Sequence, residues 1–358
     1  MRYPDRQRRF HITRCTRMLA AAGILVGIGS VALHAQVPAM VPVPFGATVA
    51  GTPSTTSGPA CTAINSIGDG CPATQAVMTP YSTTVDSYGN IYIADYGDTA
   101  IRVVFEGGSA LAAAIVAANP TVTGLTPKAG YIYSLAGASG LTKNPAAGAV
   151  CSGTSGPTAV NSLGDACPGT QSYVKARGIT VDASGNVFFT NIGSNDSVRV
   201  LYVGGAAASA LITATDPTVL APQAGYIYTI AASNATSPMT AVGLSSPRDV
   251  VVDSSENVYV TDNFEATTTS TTPTTQEVFK TNGTTGATTV VAGNGTGGYN
   301  GDNIPATTAE LALPDAVFLD ANNNLYISEA GGAITPPGGS ATTYLGRLRN
   351  PNPEIGNA

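Results

Sequence analysis

The chain has 358 residues, a formal net charge of −6, 11% charged residues, 41 glycines, 24 prolines and no tryptophan. An acidic balance of this kind repels nucleic acid and anionic membrane surfaces, and excludes both as partners. Sparse charge with abundant Gly, Thr, Ala and Ser, and β-branched residues in short bursts between turn residues, favours a repeat array over two ordinary domains.

Residues 1–35 read as an export signal. Six arginines precede an apolar run from Met18 to Ala32, and "ALHAQ" offers Ala35 for cleavage. The run is too short to span a bilayer, and nothing later is apolar enough to do so. The signal holds both histidines (His11 and His34), the odd Cys15, and six Arg against one Asp, so residues 36–358 have no histidine and a net charge of −11. The expected location is secreted or periplasmic. In that setting the four remaining cysteines read as two disulfides, Cys61 with Cys71 and Cys151 with Cys167. Neither pair has zinc spacing, and no histidine accompanies them.

Residues 36–60 form an N-terminal segment, 61–349 the repeat region and 350–358 a tail. The repeat is a hairpin written four times: "TTVDSYGNIYIAD" (83–95), "ITVDASGNVFFTN" (179–191), "VVVDSSENVYVTD" (250–262) and "VFLDANNNLYISE" (317–329). Asp86, Asp182, Asp253 and Asp320 cap the turns, and Gly89 and Gly185 supply their positive φ. Asn323 tolerates that conformation, whereas Glu256 suits it poorly. None of these turns has the length or terminal Glu of a calcium-binding EF-hand loop.

A third apolar burst follows each hairpin (100–105, 197–203, 276–281, 343–348), and a fourth follows three of them (131–137, 226–232, 288–294). Two inserts, 108–120 and 205–217, have helix-forming composition and stop at proline. Four short antiparallel strands per unit describe an all-β fold, the β-propeller. A connector phrase also recurs, as "SIGDGCPATQ" (66–75), "SLGDACPGTQ" (162–171) and "YNGDNIPATT" (299–308). It reads as a Gly-Asp turn stiffened by proline.

The "VDxxGNxYIAD" hairpin, the following "IRVV" and the "AGNGTGGYNGDN" connector resemble those of NHL-repeat propellers, especially exported bacterial forms, over nearly all of residues 46–348. That resemblance implies four-stranded antiparallel blades. Four are visible, as either a closed four-bladed ring or an incomplete six-bladed one. "FGATVAG" (45–51) matches the inner part of "TTVVAGN" and so resembles a fourth strand without a blade of its own, able to close a ring by joining the last unit.

Asp95, Asn191, Asp262 and Glu329 end the second strands at matching positions and form the candidate ligand-binding rim. No cofactor is expected; calcium is the alternative that such oxygens would take. The local alternative pairs Asp95 with Arg102 and Glu329 with Arg347, which leaves Asp262 unexplained because its unit lacks the Arg. The expected function is a non-catalytic binding module for protein, peptide or glycan. The alternative is a calcium-dependent hydrolase or lyase using the acidic rim, and a third reading is a structural envelope component. Tyr131, Tyr133, Tyr226 and Tyr228 are expected to pack between blades.

Overall fold

The computed structural model describes residues 48–52, 61–137, 151, 164–193, 196–233, 242–264, 275–334 and 342–351. The predicted signal, most of the N-terminal segment and most of the tail lie outside these residues.

Alternating apolar residues and Gly-rich turns produce four antiparallel sheets in propeller arrangement. Blade one comprises β1 (Ser82–Val85), β2 (Ile91–Asp95), β3 (Ala100–Phe105) and β4 (Tyr131–Ala136), paired in that order. Blade two adds a two-residue strand from its connector, β5 (Cys167–Pro168), to the outer edge of β6 (Ala176–Val181), β7 (Val187–Asn191), β8 (Ser197–Leu201) and β9 (Tyr226–Ala232). Blade three is β10 (Pro247–Val252), β11 (Val258–Phe264), β12 (Thr275–Thr281) and β13 (Thr288–Ala292). The predicted helices are α1 (Ser109–Ala118) and α2 (Ala206–Thr215), each inserted between the third and fourth strands of its blade.

Blade four departs from expectation. β14 (Pro314–Leu319) and β15 (Leu325–Glu329) form the hairpin, but residues 342–344 do not join that sheet. They form β17 (Thr342–Tyr344), which pairs with β16 (Gly332–Ile334) as a separate ribbon. The third strand is β18 (Arg347–Arg349). Gly331 and Gly332, both at positive φ, turn the chain out of the blade after Glu329. The hydrophobic bursts alone do not reveal that detour.

Each turn is built as its residues suggest. Asp86 Oδ1 accepts the N–H groups of Tyr88 and Asn90 at 2.9 Å, and Oδ2 accepts the Asn90 side-chain amide at 2.7 Å. Asn90 in turn accepts from the N–H of Gly107 at 3.0 Å and so ties the turn to the end of β3. Asp182 with Asn186 and Asp253 with Asn257 repeat this arrangement. The positive-φ position holds Gly89, Gly185, Glu256 and Asn323 in turn.

The core lies between blades. Tyr92, Ile101, Val103 and Tyr133 of blade one meet Ile179, Val187 and Phe189 of blade two. Phe188, Val200 and Tyr228 then meet Val250, Val258 and Val260 of blade three, and Val278 and Ala292 meet Val317, Leu325 and Ile327 of blade four. At about 25 cal/mol per Å² of apolar surface, these interfaces are the main source of stability. Tyr133 and Tyr228 are buried there, as expected, and their hydroxyls accept the N–H groups of Lys128 and Gln223.

The described part of the N-terminal segment does not pair with β18. Gly51 N–H donates to Ala73 O and Thr52 N–H to Ala76 O, both at 2.9 Å, on the first connector. β18 pairs with β15.

Candidate functional site

Antiparallel order brings the start of each first strand, the end of each second and the start of each third to one face. The four predicted rim residues stand there, and all are buried to 2% exposure or less. Each serves its own blade. Asp95 accepts the N–H of Thr79 at 2.7 Å, and Asn191 that of Lys175 at 2.7 Å. Asp262 accepts from Ser245 at 2.8 Å and Ser246 at 2.5 Å. Glu329 lies 3.5 Å from both Arg347 and Arg349 and accepts a backbone hydrogen bond from Ala312. The shared task is to fasten the chain entering each blade to the end of its second strand, which also accounts for Asp262. Burial raises the Asp95 and Asp262 carboxyls to about 6, and raises Glu329 as well, against the opposing pull of these hydrogen bonds and of the nearby arginines where present.

The predicted Arg pairs are present, but the arginines have a stronger partner that the strand spacing did not suggest. Arg102 lies 3.4 Å from Asp95 yet 2.8 Å from Asp69, the Asp of the first Gly-Asp phrase. It also donates to Val77 O and Ile67 O. Arg199 meets Asp165 of the second phrase at 3.0 Å, and Thr229 shares that carboxylate at 2.8 Å. Arg349 meets Asp302 of the third phrase at 3.4 Å. Strand register makes Arg102, Arg199 and Arg349 equivalent, so Arg349, rather than Arg347, is the blade-four counterpart. Blade three carries Phe279 at that position, and no Gly-Asp phrase precedes it. The arginine and the phrase therefore come and go together within one chain, a signal readable in the sequence.

Above this layer sits a different cluster. Counting back from the turns, Tyr81, Arg177, Arg248 and Asp315 occupy one position at the mouth of the innermost strands. Tyr81 and Tyr96 rings lie 5.8 Å apart. Lys175 Nζ stands 5.1 Å from the Tyr96 ring centre, and the Arg177 guanidinium 5.8 Å from that of Tyr81. Desolvation opposes ionisation of Tyr96, but hydrogen bonds and charge from Lys175 and Arg177 outweigh it, leaving the phenol below its ordinary pKa. Nε and Nη1 of Arg177 are shielded and have no hydrogen-bond partner among the described residues. Arg248 Nε donates to Asn263 at 2.6 Å. Sequence reasoning missed this cluster because its members come from two blades and different strand positions.

Both predicted disulfides are formed, Cys61–Cys71 and Cys151–Cys167. Among the described residues no helix is long and apolar enough to cross a membrane, and no three His, Cys, Asp or Glu side chains converge as a metal site.

No protein-family profile and no curated protein matches this sequence. Solved structures similar to it include a streptogramin B lyase, at 12% identity and TM-score 0.31 over 74% of this chain and 54% of that one. A catalytically inactive virginiamycin B lyase from Staphylococcus aureus with quinupristin gives 12% and 0.33 over 74% and 55%. The extracellular domain of a putative hybrid two-component system from B. thetaiotaomicron gives 9% and 0.29 over 76% and 28%. The chain spans about half the length of the lyases it matches.

Proposed function

We propose that this chain is an exported, non-catalytic propeller of NHL-like kind that binds a protein or peptide ligand bearing carboxylates on the face where connectors enter the blades. The observation that carries this reading is the Tyr81–Tyr96–Lys175–Arg177 cluster. It concentrates two cations and two aromatic rings on an otherwise acidic molecule, and two donors of Arg177 are unmet among the described residues. Arginine and aromatic anchors of this type dominate binding energy at protein interfaces. The buried rim beneath supports the platform by fixing the entering chain, and disulfides in the first two connectors suit a secreted or periplasmic setting.

The test is a titration of acidic peptide arrays, with uronic-acid glycan arrays alongside, against the chain and its Tyr96→Ala and Arg177→Ala variants. The expected result is peptide binding weakened at least tenfold by either change, equal to about 1.4 kcal/mol. Binding untouched by both changes, or confined to glycans, would overturn the proposal.

A further inference from the structure

We infer that the cleft between the hairpin turns of blades one and two, on the face opposite the buried rim, binds an uncharged saccharide. This cavity of about 400 Å³ is walled by the first turn from Val85 to Tyr88, the start of α1 from Gly108 to Leu111, and the second turn from Val181 to Gly185. Tyr92 and Val203 complete the lining. Its size is that of a small-molecule site, and it shares no residue with the Tyr81–Tyr96–Lys175–Arg177 cluster.

Two departures from the repeat make this cleft. The turn residue two after the Asp is Tyr88 in blade one, against Ser184, Ser255 and Asn322 in the other three. The turn gives no reason for a tyrosine there, because Tyr88 enters its hydrogen bonds only through the backbone N–H. The ring is 69% exposed, and a Cβ on Gly108 would lie 3.8 Å from it. It therefore stands beside the start of α1 as an aromatic wall open to solvent. The second departure is Gly185. At the next junction, beside α2, the same position is Glu256, which is buried with its carboxyl against Asp182. Gly185 leaves the corresponding space free, since a Cβ there would meet nothing nearer than Val203 Cγ1 at 3.7 Å and the Tyr92 hydroxyl at 4.0 Å.

Charge and hydrogen bonding set the class of ligand. Among the lining residues, Asp86 and Asp182 alone are charged. Asp86 engages both oxygens within its own turn: Oδ1 accepts two backbone N–H groups at 2.9 Å, and Oδ2 the Asn90 amide at 2.7 Å and the Tyr92 hydroxyl at 2.9 Å. Asp182 Oδ1 accepts the N–H groups of Ser184 and Asn186 at 2.9 and 2.7 Å, and Oδ2 accepts the Asn186 amide at 2.6 Å beside Glu256. The two charges disfavour an anion, and oxygens so engaged are not free to ligate a cation. What the cleft offers is the Tyr88 ring and the exposed hydroxyls of Ser87, Ser109 and Ser184, each both donor and acceptor. A pyranose presents the matching surface: a face of polarised C–H bonds that packs on an electron-rich ring, rimmed by hydroxyls.

The test is an array of neutral oligosaccharides of glucose, galactose, mannose and N-acetylglucosamine, with uronic-acid oligosaccharides and oligolysine peptides as further arms, probed with the full chain and its variants. Binding is expected in the neutral arm. Tyr88→Ala changes an exposed side chain, so it is expected to keep the native circular dichroism and weaken that binding at least tenfold, while Tyr88→Phe keeps the stacking face and retains it. Gly185→Glu copies the residue that the turn of blade three holds at φ 59° and is expected to abolish binding by filling the cleft. Tyr96→Ala and Arg177→Ala are expected to leave it unchanged, which separates this cleft from the peptide site on the other face. No neutral sugar bound, binding confined to the uronic-acid or oligolysine arms, or neutral-sugar binding that survives Tyr88→Ala would overturn the inference.

Discussion

Glu256, in the turn of blade three, brings its carboxyl across the junction against that of Asp182, in the turn of blade two. The reason lies in two coordinated departures from the repeat. Tyr92, Tyr259 and Tyr326 each donate their hydroxyl to the turn Asp six residues earlier, at 2.9, 3.3 and 3.4 Å. Blade two has Phe188 at that position, which leaves Asp182 without the donor. Blade three has Glu256, at φ 59°, where blades one and two have glycine. A carboxyl from the neighbouring blade thus replaces the missing hydroxyl, and it can donate only when protonated. Burial, then the Asp182 and Asp253 charges, raise Glu256 to about 8.

A folded-state pKa above the unfolded value gives stability that is complete below the unfolded pKa and lost as pH rises through the folded one. For Glu256 the window runs from about 4.5 to about 8. Asp95, Asp249 and Asp262, raised to about 6 chiefly by burial, act in the same direction from about 3.8. Urea midpoints are therefore expected to fall between pH 5 and pH 8. Glu256→Gln keeps a donor without the charge, so it should flatten the upper part of that fall and add about 1 kcal/mol at pH 8. A midpoint that rises with pH would contradict this account.

Arg102 is fully buried against Asp69 and Asp95, so Arg102→Ala leaves two carboxylates unpaired in the interior. Loss of about 3–5 kcal/mol is expected in denaturant unfolding. Arg347→Ala, at a partly solvated pair, should cost about 1 kcal/mol or less. Equal losses would show that the connector Asp carries no weight.

Calcium tests the rim. Since Asp95, Asn191, Asp262 and Glu329 are each engaged by their own blade, millimolar calcium is expected to leave the thermal midpoint unmoved. Saturating binding at a hundredfold excess over its dissociation constant would add about 2.7 kcal/mol and be plainly visible in a melt.

The disulfides close short loops beside the Arg–Asp layer. The double change Cys151→Ala, Cys167→Ala opens a loop of 16-residue separation, and is expected to cost about 3 kcal/mol in the oxidised protein. The measurement is the unfolding free energy of that variant beside the parent, with and without reductant. No loss in the variant would show that Asp165 and Arg199 alone hold the connector.

Much of the fold was legible in the sequence because its determinants are local. An Asp, three turn residues and an Asn make a hairpin wherever they occur, and period-two alternation selects the strands that follow. The turns, both inserted helices, the first three blades and both cysteine pairs came directly from such patterns. The third strand of blade four did not, since Thr342–Tyr344 and Arg347–Arg349 are short neighbouring segments of weak apolar pattern and only pairing distinguishes them.

The candidate site divides in the same way. Repetition placed Asp95, Asn191, Asp262 and Glu329 at one structural position, which is a matter of sequence register. That they are buried and face their own connectors is set by the blade closing over them. The Asp69–Arg102 partnership spans 33 residues, and the Tyr81–Arg177 and Glu256–Asp182 contacts cross from one blade to the next. Local patterning cannot specify contacts of that range. They depend on how neighbouring sheets stack, and stacking is decided only when the apolar faces of all four blades are buried together.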